Sequence, residues 1–164
     1  MDHPQFRLLP DLAATETLAR QLAPLLSPGS ALLLEGPLGA GKTALARALL
    51  RHLCRDPGLE VPSPSYTLVQ FYDAPGGTVA HFDLWRLDGP AALAELGWEE
   101  AREGVVIVEW PDRLGPLRPA GAFTVRLEPL AAGPGAPDGE APRRAVLEGW
   151  PPLAAATDPE GSCR

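Results

Sequence analysis

The residues at positions 36–43 carry the clearest chemical pattern in this sequence. They read Gly36-Pro37-Leu38-Gly39-Ala40-Gly41-Lys42-Thr43 and fit the phosphate-loop pattern G-x-x-x-x-G-K-[ST] at every fixed position. The glycines let the backbone curl so that successive N–H groups point at phosphate oxygens, and the following helix adds its positive N-terminal end. Lys42 is expected to reach the β- and γ-phosphates, and Thr43 to place its hydroxyl on Mg²⁺. We therefore expect nucleotide contacts from Gly36, Leu38, Gly39, Ala40, Gly41, Lys42 and Thr43.

A carboxylate at the end of an apolar segment is the second feature. The segment GVVIVEWP (104–111) is apolar up to Glu109, which predicts a short buried strand that ends in an acid. Beside a phosphate loop this matches the Walker-B arrangement, in which the strand delivers its acid to the metal ion next to the phosphates. Without the loop, Glu109 would be an ordinary solvated side chain; with it, we predict that Glu109 and Thr43 hold Mg²⁺.

Two polar segments supply further candidates. In HFDLWRL (81–87), strand alternation places His81 and Asp83 on one face. Asp83 could support the metal or orient an attacking water, and Arg86 could contact a phosphate or a partner. In SPSYTL (63–68), which follows a proline-rich loop, hydroxyl groups could reach the γ-phosphate as they do in nucleotide switches. The predicted switch residues are Ser63, Ser65, Tyr66 and Thr67.

Lys42 is the only lysine in the chain, against thirteen arginines. A general preference for arginine does little harm on a solvated surface, but a planar guanidinium does not replace a compact ammonium in a crowded phosphate pocket. The retained lysine therefore supports a working phosphate loop. It also excludes the guanine-binding motif N-K-x-D, which favours ATP over GTP. The candidates for adenine contacts are Leu12, Thr15 and Arg143 or Arg144.

The periodicity predicts an α/β, P-loop NTPase-like three-layer fold with a mixed, partly antiparallel central sheet. Asp11 or Thr15 would cap the first helix, and Pro24 would end it early. The last two strands would form an antiparallel pair. The predicted helices are 11–26, 42–54 and 89–103, the last with a break near Gly97, and the predicted strands are 31–35, 65–72, 77–87, 104–111, 122–129 and 143–150.

Length and composition place limits on the function. With 164 residues, 45% hydrophobic and 21% charged, we expect a single domain over 1–152, a flexible loop at 131–141 and a disordered tail at 153–164. The sequence lacks a membrane-length apolar run and a signal-peptide pattern, so we expect a cytoplasmic protein. Cys54 and Cys163 fit plain thiols. A net charge of −7 argues against autonomous binding of nucleic acid.

The ordered set GPLGAGKT, SPSYTLV, HFDLWRL and VEWPDR resembles the TsaE family of bacterial P-loop ATPases, over about residues 10–113. That family works in making threonylcarbamoyladenosine (t6A) in tRNA. The resemblance implies that Lys42 and the loop bind ATP, that Thr43 and Glu109 hold Mg²⁺, and that Asp83 is needed near the γ-phosphate. This makes Asp83, Lys42 and Glu109 the catalytic set. The departures from the family pattern are Pro37, Ala44, Ser65 and Trp85, of which Trp85 loses a tyrosine hydroxyl.

The resemblance also implies a partner, the TsaB–TsaD heterodimer, which ATP hydrolysis would reset between modification cycles. Contact with tRNA would then pass through the partners, and the chain alone would be a monomer or self-associate weakly. Arg86, Trp110 and Arg113 are the candidates for contact with a partner or a phosphate. Since no arginine is clearly placed as a transition-state finger, we expect slow hydrolysis without partners.

Two other functions fit the same loop. One is a small-molecule kinase with Asp83 as the base, although residues 88–104 form an acidic segment with a single arginine, Arg102, which makes a poor lid. The other is a nucleotide-gated binding module without significant turnover, because binding and switching use the same loop that hydrolysis uses.

Overall fold

The structure, a computed structural model, describes residues 3–131 and 141–154. Seven strands run through these residues: β1 (Gln5–Leu9), β2 (Ala31–Glu35), β3 (Val69–Ala74), β4 (Gly77–Asp83), β5 (Val105–Glu109), β6 (Phe123–Pro129) and β7 (Arg143–Glu148). The α-helices are α1 (Leu12–Leu22), α2 (Lys42–Leu53) and the short α3 (Trp98–Ala101). Three 3₁₀ segments cover Ala23–Leu25, Pro90–Leu96 and Pro111–Leu117. In the part of the chain so described, no helix is both long enough and apolar enough to cross a membrane.

The seven strands form one mixed sheet with the order β1-β7-β6-β2-β5-β4-β3. Strands β6, β2, β5 and β4 are parallel, whereas β1, β7 and β3 pair antiparallel to their neighbours. The register opposes Glu109 to Leu34 on one side and to Asp83 on the other. The predicted α/β fold with a mixed, partly antiparallel sheet is therefore confirmed, and the parallel strands end at one edge beside the phosphate loop.

Alternate residues of the central strands build a core on each face of the sheet. Leu32, Leu34 and Ile107 pack with buried residues of α1 and α2. Leu33 and Val108 pack on the other face, with buried residues of α3 and the 3₁₀ segments. Because both faces are covered, β2 and β5 consist of apolar residues up to their final carboxylates. The layers hold the ends of these strands, and so the site, in place.

Two predicted strand boundaries are wrong: the start of β3 and the end of β4. Residues 65–68 form a turn, because the Leu68 N–H donates to Pro64 O at 2.7 Å and Leu68 has a φ of 66°. β3 therefore begins at Val69 rather than at 65. β4 ends at Asp83 rather than at 87, since the Leu87 N–H turns back to Leu84 O at 3.0 Å. Both turns bring polar residues to the edge of the site.

The structure differs from the predictions at three other elements: one strand was not predicted, one helix is of a different type, and one strand is shorter. The edge strand β1 was not predicted, because its formation depends on antiparallel pairing with β7, far along the chain. The predicted helix at 89–103 consists of a 3₁₀ segment and α3, separated at Gly97 with a φ of 79°. The predicted strand at 104–111 is confined to Val105–Glu109.

The predictions for the chain ends have mixed outcomes. Asp11 caps α1 by accepting from the Ala14 N–H at 2.9 Å, and the helix gives way to a 3₁₀ turn around Pro24, as predicted. The antiparallel pairing of β6 with β7 is confirmed. The predicted flexible loop at 131–141 falls almost wholly outside the described residues, as do 155–164 of the predicted tail and Cys163. The described Leu153 donates its N–H to Gln5 Oε1 at 2.9 Å.

Candidate nucleotide site

Two glycines of the phosphate loop have backbone conformations that other residues rarely adopt, and at Gly36 a close backbone contact also excludes a side chain. Gly36 has a φ of 144°, and a Cβ there would lie 2.6 Å from Leu127 O. Gly41 has a φ of 102°, and a Cβ there would overlap the guanidinium of Arg143. The loop therefore curls against β6 and β7 in a backbone conformation that glycine adopts easily. Arg143, a candidate for ATP contact, lies directly against the loop.

The ammonium of Lys42 is held inside the loop and under an aromatic ring. Its Nζ donates to Gly36 O at 2.5 Å and to Pro37 O at 3.0 Å, and lies 3.8 Å from the centre of the Trp110 ring. Burial lowers the pKa of Lys42, whereas the carboxylates of Glu109 and Asp83 act to raise it. The site thus holds a largely desolvated cation, which is ready to exchange weak neutral partners for phosphate oxygens.

Glu109 joins the phosphate loop to strand β4. Its Oε1 accepts from Thr43 Oγ1 at 2.8 Å, and its Oε2 lies 2.6 Å from His81 Nε2. His81 and Glu109 are both buried. Because β4 and β5 are parallel neighbours, the imidazole and the carboxylate meet on one face of the sheet. Each oxygen of Glu109 therefore has one protein partner, which fixes the orientation of the carboxylate.

Asp83 is held by a different set of donors. Its Oδ2 accepts from Ser63 Oγ at 3.3 Å and from Ser65 Oγ at 3.4 Å, and the two serine hydroxyls are 2.9 Å apart. Its Oδ1 accepts from the Trp85 N–H at 3.1 Å. The Asp83 side chain is thus connected to the segment predicted as a switch, whereas Glu109 is connected to the phosphate loop.

These groups line one cleft of about 250 Å³. Its lining includes the predicted residues Leu38, Gly39, Ala40, Gly41, Lys42, Thr43, Ser63, Ser65, Asp83, Glu109 and Trp110. The structure does not place Gly36, Tyr66, Thr67, Arg86 or Arg113 in that lining. Tyr66 and Arg86 meet each other instead, with the guanidinium 5.0 Å from the ring centre, and Thr67 accepts from Gln70.

The two candidates for adenine contact on α1 have different surroundings. Leu12 is exposed and lines a larger groove that also includes Ala44, the residue after Thr43. Thr15 is 1% exposed, and its hydroxyl has no hydrogen-bond partner among the described residues. Leu12 is therefore open to a ligand in this structure, and Thr15 lies beneath the surface.

The donor set at the cleft fits magnesium. Mg²⁺ prefers oxygen ligands and is usually held by one or two carboxylates together with substrate phosphates, rather than by an all-protein cage. Thr43 Oγ1 and Glu109 Oε1 supply such oxygens side by side. Within residues 3–131 and 141–154 no cluster of three or more His, Cys, Asp or Glu side chains forms a self-sufficient metal site. A metal here would depend on the phosphates of a bound nucleotide.

Comparison with known proteins assigns the chain to a family. A family model described as "Threonylcarbamoyl adenosine biosynthesis protein TsaE" matches residues 9–132. The chain belongs to the TsaE family. A relative in Rickettsia felis named "tRNA threonylcarbamoyladenosine biosynthesis protein TsaE" is 38% identical over 117 residues, covering 71% of this chain and 68% of the relative. A relative of the same name in Synechocystis is 40% identical over 116 residues, covering 66% and 71%.

A solved structure shares the fold of this TsaE-family chain. The crystal structure of Bacillus subtilis YdiB has a TM-score of 0.65 and 24% sequence identity, and the likeness covers 90% of this chain and 86% of that one. The family match begins at Leu9, so it includes the phosphate loop, Asp83 and Glu109 but not most of β1 or any of β7. The resemblance seen in the sequence motifs is thus confirmed.

Two features of the site were not predicted. One is the role of His81 as the partner of Glu109, which strand alternation together with a parallel β4–β5 pairing could have indicated. The other is the position of Trp110 over Lys42, which depends on a φ of 58° at Trp110, an uncommon conformation for a bulky residue. No periodic pattern in the sequence signals that backbone conformation.

Proposed function

We propose that this chain is a Mg²⁺-dependent ATPase that serves t6A modification of tRNA. The observation that carries the proposal is the Thr43–Glu109 hydrogen bond of 2.8 Å at the mouth of an intact phosphate loop. A hydroxyl on the loop and a carboxylate on the adjacent strand are the two protein groups by which P-loop NTPases hold their metal. Membership of the TsaE family and the names of the relatives support the role in t6A biosynthesis.

Binding would begin at the loop. The backbone N–H groups of residues 38–43 and the N-terminus of α2 attract the phosphates. Lys42 would exchange its contacts with Gly36 O and Pro37 O for phosphate oxygens, which accept stronger, charge-assisted hydrogen bonds. Arg143, beside Gly41, and Leu12, beside Ala44, extend the binding surface toward the nucleoside.

Hydrolysis would use the two carboxylates differently. Thr43 and Glu109 would hold Mg²⁺, which when bound supplies positive charge against the phosphate oxygens. His81 keeps Glu109 in the orientation this requires. Asp83 would orient the attacking water, and its bonds to Ser63 and Ser65 would connect the γ-phosphate to the switch segment.

The partner is proposed to be the TsaB–TsaD heterodimer. Among the described residues no arginine lines the phosphate cleft, although Arg143 lies against the loop at Gly41. An arginine finger supplied by another protein accelerates hydrolysis by about 10³–10⁵. Slow hydrolysis alone and faster hydrolysis in the complex fit this arrangement. ATP would strengthen association by ordering the switch segment, and hydrolysis would release and reset the heterodimer.

Multiple-turnover modification of tRNA in a reconstituted system tests the proposal. We expect t6A formation to stop after about one cycle without this chain, or with Lys42→Ala in its place, and phosphate release by the chain to rise when the heterodimer is added. Unchanged modification without the chain would contradict the role in t6A synthesis. ATP binding without phosphate release in any mixture would instead indicate a binding module, and transfer of phosphate to a small molecule would indicate a kinase.

A further inference from the structure

A second concave surface adjoins the phosphate cleft at Ala44 and lies between α1 and α2. We define the arginine groove as this depression of about 510 Å³, with arginines at Arg20, Arg47, Arg51 and Arg55. These are four of the thirteen arginines in a chain whose net charge is −7. Of the residues that the structure describes, Glu16 is the only acidic one in the lining of the groove. Positive charge is therefore concentrated at one place on an otherwise acidic protein.

Two of the four arginines are regularly spaced and anchored on α2. Arg47 and Arg51 are four residues apart on α2, so they lie on one helix face about 6 Å apart along its axis. The Nε of Arg47 donates to Val61 O at 3.3 Å, and the Nε of Arg51 donates to Leu59 O at 3.0 Å. These bonds anchor both side chains. Within the part of the chain described here, none of the four groove arginines forms an ion pair with a carboxylate.

Arg55 occupies a backbone position that usually belongs to glycine. It follows the C-terminal end of α2 with a φ of 54°, and the next N–H, from Asp56, donates to Arg51 O at 3.0 Å. Helices that end in this way normally place glycine at the left-handed residue. An arginine here is strained, and such strain points to a function of the side chain rather than to stability.

The floor of the groove is apolar, which limits the kind of ligand. Leu12 on α1 and the small residues Ala44 and Ala48 on α2 supply the apolar part of its lining. A groove between helices with an apolar floor fits an amphipathic helix, whose apolar stripe covers the floor. Carboxylates at i and i+4 on such a helix repeat at the same interval as Arg47 and Arg51, and each guanidinium can hold one of them bidentately.

We propose that the arginine groove docks an acidic amphipathic helix of a protein partner. Single-stranded nucleic acid is less well matched, because its binding sites offer aromatic rings on which bases stack. Among the described residues, His52 supplies the only aromatic ring in the lining of the groove. The inference goes beyond the proposed function, since it concerns the four arginines of the groove, whereas the proposed nucleoside contact uses only its Leu12 and Ala44 end.

Fluorescence anisotropy on the full chain without nucleotide tests this proposal. The probe is a labelled synthetic helix of leucine, alanine and glutamate, with leucines on one face and glutamates beside them. A scrambled peptide of the same composition and a labelled single-stranded RNA are the comparison probes. We expect binding of the amphipathic helix that weakens as salt rises, and weaker binding of both comparison probes.

The following variants distinguish the effect of groove charge on peptide binding from any effect on folding. Arg55→Gly relieves the strained conformation, so its thermal midpoint should rise while peptide affinity falls. Adding Arg20→Ser should weaken binding at least about tenfold in total, because two charge-assisted contacts are lost. The control, Arg102→Ser with Arg118→Ser, removes the same charge from the opposite side of the sheet and should bind normally. Equal binding by all variants, preference for the scrambled peptide or preference for RNA would each overturn the proposal.

Discussion

His81 contacts one oxygen of the buried Glu109 carboxylate, and Thr43 contacts the other. Its Nε2 lies 2.6 Å from Glu109 Oε2, in a fully buried position, while the other oxygen of Glu109 accepts from Thr43. An imidazole that donates through Nε2 satisfies this acceptor. If Glu109 holds Mg²⁺ as proposed, His81 would orient this ligand without touching the metal, and residues in such positions commonly change metal affinity by about 10- to 100-fold.

We predict that His81→Phe raises the Mg²⁺ concentration needed for ATP hydrolysis by about tenfold or more. Phenylalanine fills similar space but offers no donor to Glu109. His81→Gln, which can donate through its amide, should recover part of the loss. Magnesium titrations of phosphate release measure the effect, and His52→Phe on the exposed side of α2 is the control. An unchanged magnesium requirement in a folded His81→Phe protein would contradict the role of His81.

Lys42→Ala and Lys42→Arg should both weaken ATP binding severely. Alanine removes the charge, and the larger planar guanidinium does not fit the space where Nζ meets Gly36 O, Pro37 O and the Trp110 ring. Calorimetric titration with ATP and Mg²⁺ gives the affinities. Arg47→Lys, which exchanges the same residue types outside the cleft, serves as the control. Normal affinity in Lys42→Arg would show that the loop does not select lysine.

Substitutions of the two carboxylates, Glu109 and Asp83, should impair different steps. Glu109→Ala should lose magnesium-dependent binding and hydrolysis together, because Glu109 bonds Thr43 on the loop. Asp83→Asn should retain most ATP affinity and lose turnover, because Asp83 bonds Ser63 and Ser65 rather than the loop. Steady-state rates measured alongside equilibrium binding separate the two effects. The division of roles would be wrong if both variants lost ATP affinity equally.

Glu128 should make the stability of the chain depend on pH in the acidic range. Hydrogen bonds from Arg144 and Arg126 lower the pKa of Glu128 below its ordinary 4.5. A lowered folded-state pKa stabilises the fold above the ordinary value, and this contribution is lost as pH falls through the lowered one. Glu128→Gln should therefore unfold at less urea near neutral pH, and the difference should vanish in strong acid. Glu148→Gln, on β7, is the control; a difference independent of pH would contradict this linkage.

The chemistry of the loop could be predicted from the sequence because it depends on neighbours in the chain. The spacing of Gly36, Gly41, Lys42 and Thr43 brings the backbone, the ammonium and the hydroxyl together within one turn and the start of one helix. The strand that ends in Glu109 and the antiparallel pair β6–β7 were also predictable, since apolar runs and alternation are local patterns. The predicted roles of Asp83 and Glu109 in catalysis remain predictions for the experiments above.

The relationships that tertiary structure decided join residues far apart in sequence. The parallel register of β4 and β5 makes His81 the partner of Glu109, and the pairing of β1 with β7 creates a strand that its own short sequence does not predict. The position of Trp110 over Lys42 and the arginine groove between α1 and α2 likewise depend on packing. Periodicity predicts which face of an element is buried, but it does not contain the register between strands or the partner of each buried polar group. Those are determined only when the layers pack.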